Sequence, residues 1–282
     1  MHLFSKNKKV KARLWEELPK PKPNELFATP IDNRLWHPKL AVRESRIKFP
    51  QWYKDIPSGH AQLKSCYGLA DLIKTGYVLP MWATLDVKRP LSKLDERWDA
   101  QYLIRDSYLF EAETISQKDM EYFFTQNSLT RNQFPNFQTG TECPVAQTKP
   151  RESSYLKLVN PWCFRTAPGW SSLFLAMLWE PNKHYQLLSA VIHTDYYPNA
   201  NMVFNILSND AFRIEEGTSI CHIIPFERSQ SMLNTSLIKG DESTHKFLKD
   251  TGFGSVFTTD ADFHGGYKKE QKRMDKEVNR NG

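Results

Sequence analysis

Ala190-Val191-Ile192-His193-Thr194-Asp195-Tyr196 is the stretch on which the fold turns. A short apolar run passes into a polar His-x-Asp and then an aromatic, which reads as a strand ending in a turn. Two segments downstream repeat the style. Ile214-Glu215-Glu216-Gly217-Thr218-Ser219-Ile220-Cys221-His222-Ile223-Ile224 places an acidic pair and a glycine ahead of an apolar run, which predicts a tight turn at Gly217 entering a strand from Ser219 to Phe226. Thr251-Gly252-Phe253-Gly254-Ser255 then closes the series as a glycine-rich arm.

Outward from these segments, residues 155–260 read as a β core. Apolar runs at Leu156–Val159, Leu173–Leu178, Gln186–Ile192, Met202–Leu207 and Ser219–Phe226 are separated by Pro-Gly, Pro-Asn and Asn-Asp turns, and a helix is expected from Glu242 to Lys249. Strands this short and this regularly spaced predict a mainly β (α+β) chain whose compact core is β-clip or jelly-roll-like, with a few short helices. Residues 25–154 read as an irregular, aromatic-rich α+β layer on that core. Within it a helix from Leu69 to Lys74 is closed by Gly76, and a strand follows in which Tyr77, Leu79, Met81, Ala83, Leu85 and Val87 share one face. Ser116 can cap a helix through Phe124, whereas residues 130–154 show no periodicity.

The two ends differ from the body. Residues 1–24 form a basic arm running into Pro19-Lys20-Pro21-Lys22-Pro23, and residues 261–282 form a basic tail. Seven Lys/Arg against two acids in residues 1–22, and six against three in residues 268–282, account for the whole of the formal net charge of +6 and leave the body near −2. A basic face across the fold is therefore not indicated. The arms can engage phosphates, an acidic partner or a neighbouring subunit, or serve as solvated tails; nucleic acid can be reached through these termini alone. No run approaches the roughly 18 to 20 apolar residues of a membrane span, so no membrane partner is expected. Cys66, Cys143, Cys163 and Cys221 form no Cys-x-x-Cys pair, which argues for free thiols over a zinc knuckle or a disulfide framework. Trp36, Trp52, Trp82, Trp162 and Trp170 are candidates either for a stacking groove or for core anchors.

In order and spacing, the three segments quoted first resemble the signature of the deoxyuridine triphosphatases and the related deoxycytidine deaminases. Val191, Ile192, Asp195 and Tyr196 match the first motif, Gly217, Ile220 and Ile224 the second, and Gly252, Phe253, Gly254 and Ser255 the C-terminal one. The resemblance implies a β-clip core with ligand-binding residues Tyr196, against a deoxyribose, and Phe253, Gly254 and Ser255, closing over base and phosphates through backbone N–H groups. It also has gaps. His193 stands where that family carries its water-orienting aspartate, His222 stands for a glutamine, and Pro168-Gly169-Trp170-Ser171-Ser172-Leu173 replaces an Arg-Ser-Gly phosphate contact. Separately, Leu3-Phe4-Ser5-Lys6, Asn160-Pro161-Trp162, Thr166-Ala167-Pro168-Gly169-Trp170 and Ile223-Ile224-Pro225-Phe226-Glu227-Arg228 resemble a family of unknown function carried by marine tailed phages and some bacteria. That resemblance implies a phage context.

His193-Thr194-Asp195 also has the His-x-Asp form of a facial iron triad, for which His222 could supply the third ligand. His193, Asp195 and His222 are thus the candidate catalytic and metal-binding residues. The expectation drawn from all of this is a phage-encoded, non-catalytic binding or virion-associated protein without a cofactor. Its partners would be other phage subunits or further copies of itself, and its location the host cytoplasm or the virion. The alternative is an enzyme centred on His193, Asp195 and His222, either a nucleotide hydrolase using Mg2+ or a non-haem oxygenase using Fe2+.

Overall fold

The computed structural model describes residues 18–30, 35–47, 49–57, 64, 66–88, 99–103, 107–108, 136–138, 154–158, 160–208, 210–228, 239–250 and 276. Among them the chain is mainly β, with short helices, and its strands pair antiparallel throughout. It divides into two units, residues 1–55 with 68–229 and residues 56–67 with 230–282.

The larger unit holds the sheets. Its five-stranded sheet runs in the order β11 (Ala190–Ile192), β9 (Trp170–Leu175), β14 (Ser219–Glu227), β3 (Tyr77–Pro80), β2 (Arg43–Glu44). A four-stranded sheet orders β10 (Tyr185–Leu187), β12 (Met202–Ile206), β7 (Ser154–Leu158) and β6 (Asn136–Gln138). Two smaller sheets join β13 (Phe212–Ile214), β4 (Thr84–Lys88) and β5 (Asp99–Leu103), and β1 (Phe27–Pro30) with β8 (Trp162–Arg165). Their inward residues make one core that includes Leu79, Met81, Leu85, Leu156, Phe164 and Phe204. A second, smaller cluster gathers Ile73, Val78, Met177 and Trp179 with Tyr53 of α1 (Gln51–Asp55). The helix α2 (Tyr67–Lys74) sends Ala70 and Ile73 into it, three positions apart and so on one face. Trp82, Trp162 and Trp179 are buried anchors, whereas Trp36 and Trp52 are exposed.

Three expectations change. Residues 25–154 do not form a separate layer on a core of residues 155–260, because β1, β3, β4 and β6 each pair with a strand from the later segment. The alternating run from Tyr77 to Val87 is two strands in two sheets. Pro80 has no N–H to continue the ladder, and the chain turns through residues 81–83, where Met81 bonds both Thr218 and Gly217 through its backbone, while its apolar face stays buried. The run Gln186–Ile192 also divides. Leu188 still donates to Val203, but from Ala190 the chain pairs with β9 of the other sheet. By contrast, Gly217 lies in the turn directly before the strand Ser219–Glu227, as its sequence predicts.

In the smaller unit, α3 (Glu242–Asp250) extends the expected helix by one residue. Asp241 caps it, accepting from Thr244 N at 2.8 Å and from the Ser243 and Thr244 hydroxyls, and these hydrogen bonds hold its carboxyl down to about 2. The helix expected over residues 116–124, most of the basic arms and the arm carrying Phe253, Gly254 and Ser255 lie outside the described residues. No helix among the described residues is long and apolar enough to cross a membrane.

Candidate functional site

The strands β9 and β14 run side by side with Ser171 opposite Phe226 and Leu175 opposite His222. At the Ser171 end the turn after β11 delivers His193, Thr194, Asp195 and Tyr196. It is closed by Tyr196 N and Tyr197 N donating to the His193 carbonyl at 3.2 and 2.8 Å. Thr194 points inward, where its fully buried hydroxyl bonds Ser172 at 2.9 Å and Thr166 at 2.8 Å; Thr166 in turn donates to the Trp170 carbonyl at 3.1 Å. That chain of hydroxyls satisfies each buried polar atom in it and fixes the turn against the sheet.

Because Thr194 faces in, the residues on either side of it are free to converge outside. Asp195 is clasped by Arg228, which donates from Nη2 to Oδ2 at 2.6 Å and from Nη1 to Oδ1 at 3.1 Å. The Gly169 N–H adds a third bond to Oδ2 at 3.0 Å. Burial alone would push the Asp195 carboxyl up; the bonds from Arg228 and Gly169 and the arginine's charge outweigh it and hold the group below the ordinary carboxylate range. Arg228 is held in turn by its own backbone N–H donating to the Gly169 carbonyl at 2.7 Å. Its Nη1 also reaches Ser171 Oγ at 2.9 Å and His193 Nδ1 at 3.0 Å, and Ser171 Oγ lies 2.8 Å from that same nitrogen. Since an arginine can only donate, Nδ1 of His193 faces it as an acceptor, its single lone pair shared between Nη1 and the Ser171 hydroxyl. The guanidinium lies 5.6 Å from the centre of the Tyr196 ring, within cation–π range, and the ring of His193 lies 5.4 Å from it.

Each chemical option is constrained by this wiring. Ser171 and His193 have the spacing of a nucleophile and its base, but Ser171 is fully buried, and the carboxylate that would orient the histidine is committed to Arg228. The metal reading required His193, Asp195 and His222 to meet, and they do not. His222 lies opposite Leu175, four residues along β9 from Ser171 or roughly 13 Å at strand spacing. Its ring is buried against Trp179 at 4.4 Å, with Nε2 donating to the Thr75 carbonyl, while Nδ1 has no hydrogen-bond partner. Burial lowers its pKa, opposed by the bond to Thr75, so the ring is kept neutral. No group of three His, Cys, Asp or Glu side chains among the described residues could hold a metal ion. Tyr196 is 61% exposed, and beside it Tyr197 and Val191 are also exposed, on the outermost strand of the five-stranded sheet and the turn that follows it.

Sequence reasoning singled out His193 and Asp195, both of which Arg228 Nη1 reaches, but gave Arg228, Ser171 and Gly169 no place beside them. Arg228 follows Asp195 by 33 residues, and only the register of β9 on β14 places it there.

No protein-family model and no curated protein matches the chain. Among solved structures, the native EIAV dUTPase is similar over 32% of this chain and 71% of that one, at 10% identity and a TM-score of 0.24.

Proposed function

We propose that this chain is a non-catalytic binding protein, encoded by a tailed phage and associated with its virion, that engages other subunits or further copies of itself. One observation supports the non-catalytic reading above all: Asp195, the carboxylate two residues from His193, is spent on Arg228 and Gly169. A general base needs a lone pair free to take a proton, and an anion-binding arginine needs donors free for the ligand; here each group neutralises the other. The exposed Val191, Tyr196 and Tyr197 give the binding reading its surface. Exposed aromatics beside an edge strand suit docking to another protein. The phage and virion assignments rest on the sequence resemblance, and the basic termini of the sequence are the natural partners for an acidic neighbour.

Two measurements on the full chain test this reading. Pyrophosphate release from deoxyuridine triphosphate with Mg2+ present should stay at background; turnover of roughly 1 per second or more, a typical enzyme value, would overturn it. Light scattering across a salt series should show association that weakens as salt rises, since exposed charges are screened within about 8 to 10 Å. A chain that stays monomeric at low salt and binds no phage component would remove the binding reading.

A further inference from the structure

Away from the Arg228 cluster, the gap between two sheets is left unsealed. Where β10 faces the segment leaving β9 and the start of β14, a cavity of about 280 Å3 opens to the surface. Met177, Tyr185, Leu187 and Ile220 line its apolar part, and Leu178 and Leu207, 60% and 50% exposed, form its lips. Two half-exposed leucines at the open end of a core are apolar surface left in water, which a ligand or partner would cover.

The polar end of the cavity decides which. Glu180 lies on the wall and is exposed, and its carboxylate forms no hydrogen bond or ion pair among the described residues. Ser219, also on the wall, accepts a 3.0 Å hydrogen bond from Nη2 of the half-buried Arg43. Arg43 and Glu180 feel one another: burial lowers the pKa of the arginine and the charge of Glu180 raises it. Tyr185 senses the same carboxylate, its hydroxyl being pushed up to about 12 by burial first and by Glu180 second. An acid thus stands on the wall of an apolar cavity and a base stands behind the wall residue Ser219, not joined to each other and each with hydrogen-bonding capacity to spare.

We propose that this cavity binds a small zwitterion with an apolar side chain, an amino acid of the phenylalanine or leucine class. Its ammonium group faces Glu180, its carboxylate faces Ser219 and the Arg43 that backs it, and its side chain fills the space between Met177, Leu187 and Ile220. The volume of about 280 Å3 lies just below the roughly 300–1,000 Å3 of ordinary ligand pockets, which suits one amino acid. A ligand with a single charge would satisfy one side of the mouth and leave the other facing an apolar group.

Calorimetric titration of the full chain with L-phenylalanine, phenethylammonium, 3-phenylpropionate and L-serine tests the proposal. Phenylalanine should bind, and each analogue lacking one charge or the apolar group should bind about tenfold more weakly or worse, the scale of one lost charged hydrogen bond. Glu180→Gln should erase the preference for phenylalanine over 3-phenylpropionate, and Arg43→Gln the preference over phenethylammonium. Both variants should keep the circular dichroism spectrum of the parent. Equal binding of the single-charge analogues, or no binding of any probe by a folded chain, overturns the proposal. So does a Leu207→Asp variant that sediments as a smaller species than the parent without any amino acid present, because another chain would then be what covers the cavity.

Discussion

At one end of the β9–β14 ladder, Arg228, Asp195, His193 and Ser171 bond one another in a closed circuit under an exposed Tyr196; at the other end, His222 lies buried against Trp179 with one ring nitrogen unpartnered. Both ends hold a histidine, and each is set beside a glycine of positive φ, Gly169 at +81° and Gly76 at +75°. The difference lies in what fixes the backbone. Hydrogen bonds and an ion pair organise the Arg228 end, close to solvent, whereas close packing organises the His222 end, in the dark. The first can be taken apart group by group, and the second fails as a unit.

The sharpest way to break this contrast is Gly76→Ala. A Cβ there would land on the carbonyl oxygen of Ile223, a backbone atom that cannot move without disturbing β14, and the positive φ adds strain of its own. Urea unfolding should show a loss of about 3 kcal/mol or more. A loss below about 1 kcal/mol would mean that the buried end yields as easily as the open one.

How much of this was legible beforehand follows from the range of the signals. The helix stopped by Gly76 and the strand entered through Gly217 could be read because turn, glycine and apolar run lie within a few residues of each other. The sheet change after Leu188 and the break at Pro80 could not, since the apolar pattern continues unaltered through both while the pairing partner changes. The short strands Phe27–Pro30 and Trp162–Arg165 carry too few residues for an alternation to declare itself. His193 and Asp195 were legible as a pair because a turn brings them together. Arg228 was not, as nothing local says where a strand end will point. His222 misled because it breaks an apolar run as a ligand would; Ile220, Cys221, His222 and Ile223 are all buried, so the strand has no wet face to expose a polar side chain.

Arg228→Ala should come next in size, costing about 2 kcal/mol at pH 7. It strips a nearly buried carboxylate of two hydrogen bonds and its counter-charge, though partial exposure of the arginine keeps the loss below that of a fully buried pair. The effect should depend on pH with a definite sign. The Asp195 carboxyl is depressed in the folded chain, so its contribution is fully present above the ordinary value of about 3.9 and is lost as pH falls below it towards the folded value. The stability gap between parent and variant should therefore narrow as pH falls below about 3.9. A constant gap across pH 3 to 7 would assign the cost to lost packing of the arginine instead.

His222→Gln probes the other histidine and should show a different pH window. The folded ring has a depressed pKa, so above the unfolded value of about 6.5 both states are neutral and the residue is silent. As pH falls below 6.5 the unfolded chain takes up the proton first, and stability drops by at most about 1.4 kcal/mol per pH unit. Glutamine keeps a donor for the Thr75 carbonyl and does not titrate. The difference in melting temperature between parent and variant should therefore be small at pH 7.5 and should move against the parent towards pH 5.5. A difference that stays flat would show that His222 gains access to water, and with it the inert role given to it here would fall.

Gly169→Ala should have the smallest effect. Its φ is as unfavourable for an L residue as that of Gly76, but a Cβ built there meets nothing within 4 Å, so only the local backbone penalty applies. That penalty is about 1 to 2 kcal/mol, partly offset by the entropy alanine removes from the unfolded chain, for a net loss near 1 kcal/mol. Gly169→Asn should cost less still, because asparagine tolerates the left-handed region. The N–H of Gly169 donates to Asp195 and its carbonyl accepts from the Arg228 backbone, so the glycine also reports on what organises this end. If the ion pair dominates, urea unfolding will rank Gly169→Ala clearly below Arg228→Ala. Equal losses would mean that the turn shapes the cluster and that Arg228 merely fills it.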